Sequence, residues 1–126
     1  MIILDTDVLI EIFDKKSEKG DEALKKIVEN GDIVYITVIN LHEILYGLSK
    51  YAKPVKEVLM LPILEYKKQD AILASDLELK AERKGIPIRR TDAMIAAIAI
   101  NNNGLLYTFD EKHFKLLEKF GLRLFQ

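Results

Sequence analysis

The chain of 126 residues has no cysteine, no tryptophan, only three prolines and almost no net charge, with 19 Lys and Arg against 20 Asp and Glu. Without cysteine there is no disulfide framework, thiolate zinc site, iron–sulfur cluster or cysteine nucleophile. The balanced charge excludes a protein that coats nucleic acid through bulk positive potential, because such binding comes with a large basic excess. Any nucleic-acid contact has to be local. Long apolar runs are missing too: Ala93 to Ile100 is the longest, at eight residues, against the roughly 20 that a spanning helix needs. Asp5, Asp7 and Glu11 interrupt the apolar start of the chain and no basic stretch precedes it, so neither a membrane segment nor a secretory signal is expected. A reducing, cytoplasmic setting fits these absences.

What is present is a 49% hydrophobic composition, enough for one domain over residues 1–126 that buries roughly two-thirds of its unfolded surface without staples. Met1 to Leu4 reads as a buried strand, followed by a helix on which Val8, Leu9, Ile12 and Phe13 recur at helical spacing. A helix over Asp21–Asn30 stops at Gly31, and the β-branched run Ile33–Val38 is a strand. Asn40 to Tyr51 reads as a helix with Asn40 as N-cap and Glu43 closing a capping box. Further helices are expected over Lys53–Leu61, Lys68–Lys84, Thr91–Asn102 and Glu111–Phe120, with strands at Ile63–Tyr66, Leu105–Thr108 and Leu122–Phe125. Strands separated by one or two helices imply a three-layer α/β/α domain around a central, mainly parallel sheet of four to five strands. In such a sheet the C-terminal strand ends share one edge, where ligands bind.

Four acids map to that edge. Asp5 ends the first strand, Glu43 lies in the first turn of the helix after the second, Asp110 follows the fourth, and Asp92 begins the helix that returns to the same edge. Each taken alone has an ordinary explanation as a cap or a first-turn acid. Together they do not, since carboxylates about 5 Å apart repel by roughly 3 kcal/mol per pair at an effective dielectric near 20. A cation relieves that repulsion, and an oxygen-only donor set selects Mg²⁺ or Mn²⁺ over Zn²⁺. Such ions clamp phosphates and activate water.

The stretches Leu4-Asp5-Thr6-Asp7-Val8-Leu9-Ile10, Leu41-His42-Glu43-Ile44-Leu45-Tyr46-Gly47, Thr91-Asp92-Ala93-Met94-Ile95-Ala96-Ala97 and Tyr107-Thr108-Phe109-Asp110 with His113-Phe114 resemble, in order and spacing, the motifs of PIN-domain proteins. The chain is most similar among them to the small VapC-type toxins of prokaryotic toxin–antitoxin pairs. The resemblance covers essentially the whole chain and implies a Mg²⁺- or Mn²⁺-dependent endoribonuclease whose partners are RNA, a cognate VapB-type antitoxin and a second copy of itself. It places Asp5, Glu43, Asp92 and Asp110 as metal-binding, catalytic acids, with Thr6, Asp7 and Thr108 supporting them. Asn40 stands where the family more usually has Ser or Thr.

Between Lys80 and Arg90 five cations face one acid, Glu82, and Arg89 and Arg90, which lead into Asp92, are the expected substrate-phosphate contacts. His42 and His113 are read as structural or surface residues, since metal-activated water needs no histidine base. Three rival readings remain. One is a PIN nuclease of RNA processing without an antitoxin, and another is a binding module that has kept only the fold. The third is a receiver-like Mg²⁺-binding regulatory domain, which requires an acceptor Asp after the middle strand. That strand ends Thr37-Val38-Ile39-Asn40.

Overall fold

The computed structural model describes residues 1–126. Five strands, β1 (Ile2–Leu4), β2 (Val34–Thr37), β3 (Ile63–Leu64), β4 (Leu105–Tyr107) and β5 (Arg123–Leu124), form one sheet in the order β3-β2-β1-β4-β5. Every pairing is parallel. Between them run α1 (Thr6–Leu9), which continues as a π-helical turn over Ile10–Asp14, then α2 (Glu18–Asn30), α3 (Val38–Lys50), α4 (Lys56–Leu59), α5 (Lys68–Arg83), α6 (Arg90–Asn101) and α7 (Glu111–Phe114), which passes into a 3₁₀ segment at Lys115–Phe120.

The layers follow from the period of two along each strand. Ile2, Leu4, Ile36 and Tyr107 project to one face, where they pack with Val8 and Leu9 of α1, Ala23 and Ile27 of α2, and Ile44 and Leu48 of α3. Ile3 and Leu106 project to the other, against Ala74 and Leu77 of α5, Phe114, Leu117 and the alanine-rich face of α6. Both faces are covered, which is why the strands read as short uninterrupted apolar runs. Helix α6 is buried almost all round, with Ala93 and every residue from Ile95 to Ala99 inside. Its closeness to α5 rests on small side chains and on a polar tie at its end, the exposed Asn101 donating through Nδ2 to the buried Asp70 Oδ1 at 2.8 Å.

The three-layer expectation is therefore met, with five strands and an all-parallel sheet. Several boundaries differ for local reasons. Ser17 caps α2, accepting from the Gly20 amide, so that helix starts before Asp21. Gly20 lies so close to the π-helical turn that an added Cβ would stand 2.2 Å from the Glu11 carbonyl oxygen. The Asn40 cap is overturned. Thr37 is the N-cap of α3 and accepts from the Asn40 amide, while the Asn40 carboxamide oxygen closes the box. Strand β2 thus runs into α3 without a linker. The helix expected over Lys53–Leu61 is only the single turn α4, and the one over Glu111–Phe120 tightens to 3₁₀ after Phe114.

Chain order β1, β2, β3 builds the sheet outward on one side, and β4 and β5 then fill the other. The reversal falls between β1 and β4. Asp5 leaves β1 and Thr108 leaves β4 at that crevice, the place where open α/β sheets bind ligands.

Candidate active site

Asp5 is the centre of the pocket. It is 8% exposed, its backbone amide donates to the Tyr107 carbonyl, and its carboxylate caps α1 by accepting from the Thr6 amide at 2.9 Å. Oδ1 also receives Asn40 Nδ2 at 3.3 Å, and Oδ2 receives the Thr108 hydroxyl at 2.8 Å. Asn40, fully buried, uses the same amide nitrogen on Thr6 Oγ1 at 3.0 Å, and Thr6 Oγ1 donates onward to Glu43 Oε1 at 2.7 Å. One polar chain therefore ties the end of β1 to the first turns of α3 and sets the spacing between Asp5 and Glu43.

Asp7 lies on the other side of Asp5. Its Oδ2 accepts the Phe109 amide at 3.1 Å and stands 3.3 Å from the Thr108 hydroxyl, while its Oδ1 is buried with no hydrogen-bond partner. Thr108 Oγ1 in turn accepts the Asp110 amide at 3.0 Å, so one hydroxyl coordinates both acids after β1 with the loop after β4. The Asp110 side chain is half-exposed and engages His113 Nδ1, and it stays close enough to Asp7 for its charge to act on that carboxyl. Asp92, 4% exposed, is gripped by Arg89, whose Nε and one terminal nitrogen donate to its two oxygens at 3.1 and 3.4 Å.

The electrostatics reflect this crowding. Burial, followed by the Asp7 charge and with a smaller contribution from Asp92, pushes Asp5 from an ordinary 3.8 up to about 7, against the lowering effect of the Thr108 and Thr6 hydrogen bonds. Burial also pushes Asp7 up, with Asp110 adding to it. Arg89 is held still more firmly charged, first by its hydrogen bonds to Asp92 and also by Glu43 and Asp5. The pocket contains Asp5, Asp7, Glu43 and Asp92 and one guanidinium. It has more negative charge than it neutralises.

A hard divalent cation fits that imbalance, because every donor is an oxygen and one buried carboxylate oxygen has no other partner. As the side chains stand, no three acids or imidazoles are drawn together tightly enough to hold an ion. Two sequence expectations are altered here. Arg90 does not face the acids, since it forks onto Glu78 of α5 with both contacts at 3.1 Å. Asn40, read only as a cap, is an internal strut of the site. The signal for it was Thr37 three residues earlier, which makes a second capping-box register.

Comparisons with known proteins agree with this architecture. A family model described as the PIN domain matches residues 2–119. Ribonuclease VapC1 of Methanocaldococcus jannaschii is 30% identical over 98% of this chain and 86% of its own length. Ribonuclease VapC2 of Rickettsia felis is 27% identical over 90% of this chain and 89% of its own. Among solved structures, VapBC2 from Rickettsia felis bound to a promoter DNA fragment superposes with a TM-score of 0.81 at 27% identity, covering 99% of this chain and 98% of that one. DNA-bound VapBC from Salmonella typhimurium gives 0.80 at 26% identity, covering 98% and 96%. The resemblance carried by the four acidic motifs is borne out, and the chain belongs to the PIN-domain family.

Proposed function

We propose that the protein is an endoribonuclease, the toxin of a VapBC-type pair, which hydrolyses RNA phosphodiester bonds with a Mg²⁺ or Mn²⁺ ion held by Asp5, Glu43 and Asp92. PIN-domain nucleases generally use divalent metal ions, and the observation that supports one here is the crowding of buried carboxylates around Asp5, with Asp7 Oδ1 beside it buried and without a hydrogen-bond partner. Bound there, the ion supplies a polarised water and a counter-charge for the scissile phosphate. The chain's own residues do the rest. Thr6 and Asn40 orient Asp5 and Glu43. Thr108 fixes Asp5 beside Asp7, and Arg89 at the mouth meets a phosphate oxygen. Asp110, paired with His113, acts from the rim.

The ribonuclease names of the relatives support RNA as substrate, and structures of VapBC complexes support an antitoxin partner. The surface beside the site suits one. A mostly apolar groove lined by Val38, Leu41, Leu45 and Thr91 adjoins Glu43, and Tyr46, Tyr51, Leu59 and Met60 stand exposed nearby in sequence. A homodimer and a cytoplasmic location belong to the same proposal. No helix is long and apolar enough to cross a membrane.

The test is induced expression of wild type and Glu43→Gln in a bacterial host, with and without the product of the neighbouring reading frame, alongside purified protein on RNA and single-stranded DNA. Growth arrest by wild type alone, relieved by the neighbour, with cleavage of RNA only, is the expected result. Cleavage of DNA as readily as RNA, or arrest by both proteins, contradicts it.

A further inference from the structure

Asp92 carries a feature of the pocket that the proposed mechanism leaves unexplained. It is 4% exposed, yet both its oxygens are engaged by the chain's own Arg89. Arg89 is the N-cap residue of α6, with extended backbone at φ −66° and ψ 146°, three residues before Asp92. Its side chain is 73% exposed, so the guanidinium enters the pocket from solvent and can rotate out without disturbing the core. Its only hydrogen-bond partner is Asp92 itself, whereas Arg90 is engaged outside the pocket by Glu78. Asp92 sits in the first turn of α6, where its backbone position is set by the helix whatever Arg89 does.

We infer that Arg89 is a resident counter-cation of the acidic pocket: it occupies the oxygens of Asp92 that a divalent ion needs, and ion uptake exchanges this fork for metal coordination. The inference rests on the metal-binding reading proposed above. Its physical basis is that a guanidinium forked onto both oxygens takes up their facing lone pairs and neutralises the charge that draws in a second cation, so the two cations compete for Asp92. Arg89 therefore lowers metal affinity while stabilising the ion-free fold, two effects of opposite sign from one side chain. The released guanidinium remains at the mouth of the site, within reach of a phosphate.

The experiment measures Mn²⁺ binding by isothermal calorimetry and thermal unfolding in EDTA, for wild type, Arg89→Ala, Arg89→Lys and Arg90→Ala. Arg89→Ala is expected to bind Mn²⁺ about 5- to 10-fold more tightly, while unfolding at a lower temperature in EDTA and gaining more from added Mn²⁺. Arg89→Lys, a point charge without the fork, falls between it and wild type. Arg90→Ala stays within about twofold of wild type. Equal affinity in wild type and Arg89→Ala overturns the inference, as does an equal gain in Arg90→Ala, which would make the effect one of bulk charge. Failure of every variant, wild type included, to bind Mn²⁺ or Mg²⁺ overturns instead the metal-binding reading on which it rests.

Discussion

Replacing Asp5 with Asn should make the protein more stable and inactive at once, and the size of the gain follows from the pocket. In the fold the Asp5 carboxyl is pushed from 3.8 to about 7 by burial and by Asp7 and Asp92. At about 1.4 kcal/mol per tenfold change in proton affinity, ionising it inside the fold costs about 4 kcal/mol more than ionising it in the unfolded chain. The sign follows from proton counting. Between pH 3.8 and 7 the folded state holds the Asp5 proton that the unfolded chain releases, so this residue's contribution to stability falls as pH rises through that window and levels off above it. Asn is neutral throughout and keeps the hydrogen bonds. Its oxygen still accepts from Thr6 and Asn40, while its NH₂ donates to Thr108 Oγ1, whose hydroxyl proton turns to Asp7 Oδ2. Asp5→Asn should therefore unfold at about the wild-type temperature near pH 4, and should be more stable by about 2–4 kcal/mol at pH 8 in EDTA, a rise of roughly 5–15 °C. Urea or thermal denaturation across pH 4–8 reads this directly. A variant no more stable than wild type at pH 8, or a gain that does not vary with pH, refutes the charge crowding from which a cation was argued.

Two further perturbations test the scaffold. Asn40→Ala removes the acceptor for the Thr37 amide and hydroxyl and a donor to Asp5, all buried, and should cost about 1–3 kcal/mol in urea unfolding; a neutral effect would mean that water replaces the carboxamide. Gly20→Ala sets helix propensity, worth about 1 kcal/mol in favour of Ala, against a Cβ 2.2 Å from the Glu11 carbonyl oxygen. Overpacking of that kind costs about 1–3 kcal/mol and should win, so a stabilised variant would show that α2 shifts freely off the π-helical turn.

The long apolar and amphipathic segments were legible because one dominant period ran through each. The eight apolar residues of Ala93–Ile100 describe a helix buried almost all round, and α5 and α6 end within a residue of their expected limits. Strand positions were legible for the same reason, and with them the sheet edge at which Asp5 leaves β1 and Thr108 leaves β4. What was hidden is local and competitive. Val38 and Ile39 are β-branched and prolong the strand signal into α3, which displaced the cap from Thr37 to Asn40 and concealed the strut that Asn40 provides. Asp110 follows β4 as expected, but its pairing with His113 three residues on was not announced by any periodicity. Arg89 and Arg90 are identical in sequence terms and separate only in space, where α5 supplies Glu78 to one and α6 supplies Asp92 to the other.

The carboxylates at the β1–β4 crevice would hold a divalent ion that supplies activated water for RNA hydrolysis, as proposed above. The most direct measurement is single-turnover cleavage of one RNA by EDTA-stripped protein, with Mn²⁺ or Mg²⁺ added back, for wild type beside Asp5→Asn. Cleavage that returns with metal in wild type, and at no metal concentration in Asp5→Asn, is the predicted result. Cleavage that persists in EDTA, or equal rates for the two proteins, would contradict it.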